Sequence, residues 1–375
     1  MKYLLFSFYA FFLILIVYLS YFFVDPNLSY LQWFYLNFKL GSHQGKILVL
    51  FLVLIILFMF YGCMLWSYKK KRINQRDGVV LILITGLILL FAYPAVYSYD
   101  IFNYLATAKV AYLYGENPYI LMPIEFTGEP LLSFMHAPNK VALYAPGWVL
   151  ITFIPFIAGA GNFILTVLSF KAVIVLFYFL LLYLIYKISK NFSAVVFFGL
   201  NPLVLIEILW SAHNDVVMMA FLLTGMYLYL HKQRVLGIGF FILSFLIKYA
   251  TIILLPVLFW LKYIRRKKVI TQHELLRWSM YGMLIIFLIS AFREEIYPWY
   301  AIWFLPFVAM SGTRNEKIVA VIFTFCLELR YFPYMISLTH FGMTPLLKTS
   351  ITFAPVFLVI VVLYFKRIWG KISFP

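Results

Sequence analysis

Charge is what this sequence has least of. Asp, Glu, Lys and Arg make up 11% of its 375 residues, where a soluble globular chain carries roughly a quarter, and that scarcity excludes a soluble fold. Cysteine is nearly absent as well. Cys63 and Cys326 lie in or beside apolar runs, which excludes a disulfide framework and the paired spacing of a zinc site. Low-complexity tails and short-period repeats are missing. So are alternating segments of roughly ten residues, which excludes a transmembrane β-barrel. What fills the chain is 65% hydrophobic residue, in continuous runs near the roughly twenty residues that a helix needs to cross hydrocarbon. These runs predict an all-α, polytopic integral membrane protein forming a single domain over residues 1–375, with about 10–13 transmembrane helices.

Acids are scarcer than bases, 13 against 30. A net charge of +17 on its own suggests a nucleic-acid partner, but the placement of the cations argues for none. They fall in short runs between apolar segments: Lys69-Lys70-Lys71-Arg72 with Arg76, Lys187 with Lys190, Lys232 with Arg234, Arg265-Arg266-Lys267-Lys268, and Lys366-Arg367 with Lys371. This is the pattern of cytoplasmic loops under the positive-inside rule. It puts both termini in the cytoplasm and delivers a long polar loop, residues 98–146, to the outer face of the cell membrane. The apolar stretch from Met1 to Val24 runs into Asp25 without a small-residue cleavage site, so it is expected to stay as a first span.

The remaining spans are expected near 47–68, 78–97, 163–188, 192–210, a segment returning by His231, 278–292, 299–310, 318–329 and 351–365. Residues 146–160 are too few to cross and are expected to be re-entrant or interfacial. The stretch 235–262 is too long for one helix and too short for two, so two half-length pieces meeting at Lys248-Tyr249 are expected, the mark of cavity-lining backbone. On this topology Asp25, Asp100, Glu116, Glu125, Glu129, Asp215, Glu294 and Glu295 fall outside, and Asp77, Glu274 and Glu316 inside. The positive-inside rule does not sort acids. A polar active site on the outer face would collect them.

Four outward stretches carry the chemistry. Asp100 ends the third span, where a carboxylate in an apolar surround can act as general base toward a hydroxyl; its other role is to cap the helix that follows. Glu207 within a span leads to His213, Asn214 and Asp215, side chains suited to sugar hydroxyls, with helix capping as the alternative for Asn214 or Asp215. Lys248 lies within an apolar run and needs an anion: a lipid phosphate, or Glu207 or Asp215. Arg293, followed by Trp299 and Tyr300, suits a phosphate beside a stacked sugar ring; Arg330 with Tyr331 and Tyr334 repeats that pattern.

Together these stretches, in order with Asn117-Pro118-Tyr119, Tyr144-Ala145-Pro146, Asn201-Pro202-Leu203 and Pro298-Trp299-Tyr300, make the chain resemble the GT-C glycosyltransferases. The likeness is to the bacterial and archaeal α-mannosyltransferases that use polyprenyl-phosphate-mannose, and it runs from about residue 94 to 300. The resemblance implies a GT-C-like fold and transfer of a hexose, with inversion, from a polyprenyl-phosphate-sugar donor to a glycan or glycolipid acceptor among the membrane lipids. It implies Asp100 as base, Lys248 and Arg293 at the donor phosphate, and Glu207, His213, Asn214, Asp215, Tyr104, Trp299 and Tyr300 about the sugar or acceptor. The chain departs from relatives that carry a paired acidic motif in the first loop, since the next polar position after Asp100 is Asn103, so no metal or other cofactor is expected. A flippase or transporter of lipid-linked sugars would show two related halves, and a polysaccharide polymerase or ligase a large late loop; both stay open as alternatives.

Overall fold

Within hydrocarbon a chain must satisfy its backbone internally, and helices do so one segment at a time. In the computed structural model, which describes residues 2–38, 41–266, 270–293 and 295–372 and leaves the side chains of 293 and 367–372 aside, every regular element is a helix. Six of them are long and apolar enough to cross a membrane: Lys2–Phe23, His43–Lys69, Phe163–Ser189, Gln272–Phe292, Arg314–Ser337 and Thr344–Lys366. The chain is therefore a membrane protein of the all-helical class.

Polar caps set where these helices start. The Asn74 side chain accepts from the Asp77 N–H and the Asp77 carboxylate accepts in return, a reciprocal capping box that opens helix Gln75–Leu89. Thr313 and Glu316 do the same for Arg314–Leu329, and the Asn162 side chain caps Phe163–Ser189. Lys2 reaches Asp77 at 3.0 Å, which ties the first helix to the third expected span.

Several expected spans are broken or short, each for a local reason. Phe192–Gly199 and Pro202–Trp210 meet at a bend of 59°. Pro202 has no N–H to continue the first helix, and the Asn201 side chain caps the second by accepting from the Leu203 N–H at 3.0 Å. Residues 235–262 do divide at Lys248: helix Arg234–Phe245 ends, Lys248 is extended, and helical turns resume over Tyr249–Ile264. Pro146–Ala158 has 13 residues, about 20 Å of helix, less than the hydrocarbon thickness. The crossing expected at 299–310 is instead a tight helical stretch, Pro298–Trp303, and a seven-residue helix, Leu305–Ser311. A proline opens each of them, and nearly all of their side chains are buried.

Packing brings these short elements to the centre of the bundle. Helices Asp215–Leu230 and Arg234–Phe245 form a close hairpin in which a Cβ on Gly225 would lie 2.8 Å from the Gly237 carbonyl oxygen, and one on Gly237 2.9 Å from that of Gly225. Small residues let helix backbones meet in this way. Gly147 does the same for the break at Lys248: its N–H donates to the Leu246 carbonyl at 2.7 Å, and a Cβ there would meet that same oxygen.

Candidate active site

The polar loop begins as a helix, Asp100–Tyr112, and continues as turns. Asp100 is the first helical residue and no side chain caps that helix. Its own N–H donates to Ser98 Oγ at 3.3 Å. The capping role open to Asp100 is therefore unused, and the carboxylate is free to face the next segment, where a helix N-terminus favours negative charge. It keeps 24% of its side chain exposed, so a ligand can reach it.

What it faces is His213, fully buried. The two imidazole nitrogens lie between two carboxylates: Nδ1 is 3.5 Å from Asp100 and Nε2 is 3.1 Å from Glu207. Neither approach is aligned as a hydrogen bond, so these are close ion pairs. Burial alone would depress the imidazole, but Asp100 and Glu207 together raise it to about 9. For Asp100 burial works upward, and His213, Lys248 and Tyr144 outweigh it and hold the carboxyl below the usual range. The His213 ring stacks on Trp299 at 4.0 Å, and Trp299 on Tyr297 at 4.4 Å. The Tyr331 hydroxyl donates to the far side of Glu207 at 2.8 Å.

The backbone that presents His213 is strained. Glu207 lies on a wide, π-type turn of helix, Leu205–Trp210, a departure found often at functional sites. Ala212, completely buried, then takes φ +62°, a left-handed conformation that alanine seldom adopts.

Asp215 opens the next helix and is buried as well. The Lys248 ammonium donates to its two oxygens at 2.9 and 2.8 Å, and the Trp303 indole N–H donates to it at 2.5 Å. Lys248 also lies 5.1 Å over the Tyr300 ring, which stacks on Trp303 at 4.2 Å. Asn214 gives its backbone N–H to the Tyr104 hydroxyl at 3.3 Å. Its buried side-chain amide has no hydrogen-bond partner among the described residues, and it makes no cap for the helix it precedes.

Asp100, Glu207, His213, Asn214, Asp215, Lys248, Tyr104, Trp299 and Tyr300 are therefore linked through these contacts. Arg293 ends helix Gln272–Arg293, and its side chain lies outside the described residues. Among the described residues no three His, Cys, Asp or Glu side chains gather as a metal ligand set.

A family model for the alpha-(1->6)-mannopyranosyltransferase N-terminal domain matches residues 9–264. The chain belongs to that family. It is a mannosyltransferase, a glycosyltransferase that uses a sugar donor and an acceptor. No curated protein and no solved structure matches it. The matched region of this mannosyltransferase holds Asp100, Glu207, His213, Asn214, Asp215 and Lys248, whereas Trp299, Tyr300 and Trp303 reach the same site from beyond it.

Four contributors escape the sequence reading of roles. Trp303 is one aromatic in a chain where Phe, Trp and Tyr make up 21%, so nothing marks it out; Tyr331 and Tyr144 are picked out only beside Arg330 and within Tyr144-Ala145-Pro146, not as neighbours of Glu207 and Asp100. Lys171 does carry a signal, because a lysine inside an apolar run needs a partner as Lys248 does. It lies wholly buried in helix Phe163–Ser189 and donates to the carbonyls of Leu89, Ala92 and Trp210. Those carbonyls belong to the segment leading to Asp100 and the turn leading to His213.

Proposed function

We propose that this mannosyltransferase moves a mannosyl group from a polyprenyl-phosphate donor to a glycan or lipid-linked acceptor hydroxyl on the outer face of the cell membrane, with Asp100 as base and inversion at the anomeric carbon. The observation that carries the reading is the partly exposed Asp100 carboxylate held against the buried His213. In the reaction, the acceptor oxygen attacks the anomeric carbon, its proton passes to Asp100, and the bond from that carbon to the phosphate oxygen breaks. Polyprenyl phosphate leaves with the electron pair. An inverting step that yields the α-(1→6) bond named in the family's description requires a donor linked β.

A carboxylate held ionised by His213 is always ready to receive the proton, but its proton affinity is lowered. Proton transfer on this reading comes late, after the acceptor oxygen has begun to bond to carbon and has become acidic. On this reading Asn214, Tyr104, Trp299 and Tyr300 shape the wall of the sugar or acceptor site by packing about His213 and Lys248, not by presenting free ring faces. The outer-face placement rests on the basic runs between apolar segments.

The test is to incubate membranes carrying the protein with labelled polyprenyl-phosphate-mannose and with labelled nucleotide-mannose, and to identify the product. Label transferred from the nucleotide sugar after depletion of polyprenyl phosphate would refute the donor assignment.

A further inference from the structure

A cavity of about 510 Å³ opens beside the reaction centre. It shares walls with that centre: Ser98 and Tyr99 precede Asp100, Trp299 stacks on His213, and Tyr331 donates to Glu207. Three cations line it, Lys46, Arg330 and Lys348, against one carboxylate, Glu295. Arg330 and Lys348 are buried and Lys46 half-buried, and cations taken out of water need anions.

Glu295 serves two of them at once. Its Oε1 accepts from Arg330 at 3.1 Å and from Lys348 at 2.7 Å. Arg330 is further anchored by the Ile296 carbonyl at 2.9 Å and Thr352 Oγ1 at 3.3 Å, so its guanidinium is held in place. Lys46 has no carboxylate partner among the described residues. Two positive charges are left uncompensated around a space large enough for a headgroup. The cavity also abuts an apolar flank: Leu338 on its rim, and Ile336, Phe341, Met343 and Leu346 nearby, are all exposed.

We propose that this cavity seats the phosphate of the lipid donor, with Lys46, Arg330 and Lys348 as its cations and Glu295 as a stand-in anion that the phosphate displaces. The inference rests on the polyprenyl-phosphate donor proposed above. It also moves the phosphate away from Lys248, whose ammonium is committed to Asp215 and Trp303's neighbour ring. The donor's phosphodiester carries one negative charge, and the departing monoester carries about −1.5 to −2 at neutral pH. A seat whose cations outnumber the one acid among them thus favours the leaving group over the substrate, which is the difference that accelerates transfer. The apolar flank receives the isoprenoid chain.

The experiment measures binding of a fluorescent short-chain polyprenyl phosphate to the purified full-length protein in nanodiscs, with unlabelled polyprenol, phosphatidylglycerol and inorganic phosphate as competitors. Losing one charge-assisted contact corresponds to roughly tenfold in affinity, so Lys46→Gln and Lys348→Gln should each weaken binding by about that factor. Glu295→Gln should tighten it, because the competing anion is gone. Among the described residues Lys46 has no ion-pair partner to orphan, only the Phe23 ring at 5.7 Å, and thermal unfolding of Lys46→Gln measured beside its affinity separates a binding loss from a folding defect. Unchanged affinity in Lys46→Gln and Lys348→Gln would overturn the seat, and weaker binding in Glu295→Gln would overturn the stand-in. Competition by phosphatidylglycerol or inorganic phosphate at the same concentration as polyprenyl phosphate would overturn the assignment to the donor. If the variants weaken lipid-phosphate binding while the wild type moves no mannose from polyprenyl-phosphate-mannose, the seat stands and the donor reading falls. If transfer proceeds and the variants change neither binding nor KM, the reverse holds.

Discussion

Lys248 holds Asp215 through both carboxylate oxygens, at 2.9 and 2.8 Å, with the carboxylate fully buried. The pair joins the start of one helix to the break after another. Removing one partner of such a pair strands the other charge out of water, which costs about 3–5 kcal/mol.

Lys248→Met is therefore expected to lower stability by about that amount, and Lys248→Met with Asp215→Asn to recover most of it. Denaturation of the purified variants in detergent gives both values. Equal loss in the single and double variants would mean that the pair is not what holds this corner.

Asp100→Asn is expected to give a folded, membrane-inserted protein whose transferase activity falls by about 10²-fold or more. Turnover with labelled donor measures it, alongside thermal unfolding to show that the fold persists. Activity within a few-fold of wild type would remove Asp100 as the base.

His213 gives a pH dependence with a definite sign. Its folded pKa is raised from 6.5 to about 9, so the stability it contributes is fully present below about 6.5 and is lost as pH climbs through about 9. Asp100 works in the opposite direction: with its folded pKa lowered, its contribution is present above the unfolded value and is lost as pH falls through the folded one. Unfolding midpoints measured from pH 6 to 10 should drop on the alkaline side in the wild type and much less in His213→Gln. A parallel decline in both proteins would place the alkaline transition elsewhere.

Lys171→Met is expected to cost on the order of 2–4 kcal/mol, since the Ala92 and Trp210 carbonyls lose their donor in the interior while Leu89 keeps only the Ala92 N–H. The loss should appear in activity as well, through kcat more than KM, because the segments it ties carry Asp100 and His213. Wild-type stability in this variant would show that water replaces the ammonium.

The expected reading and the structure agree where polarity is costly. Asp100, Glu207, His213, Asp215 and Lys248 stand out in an apolar chain because each must find a partner there, and they found one another. Aromatics carry no such signal here, so Trp303 is not legible in the sequence, and the places of Tyr144 beside Asp100 and of Tyr331 on Glu207 come only from the fold. The 299–310 segment was misread as a crossing because a buried short helix and a membrane span look alike in apolar composition. Glu295 and Lys348 are far apart in sequence, and nothing local says that one acid serves both Lys348 and Arg330.

The Gly225 and Gly237 contact bears on all of this from a distance. It lies partway along a hairpin whose free end is clasped by Lys248 and Asp215, so the spacing of the two arms is set by bare backbone. A single methyl at either glycine would act as a wedge and prise that clasp apart. Damage to catalysis can thus originate in the most featureless part of the chain, at two residues that carry no side chain at all.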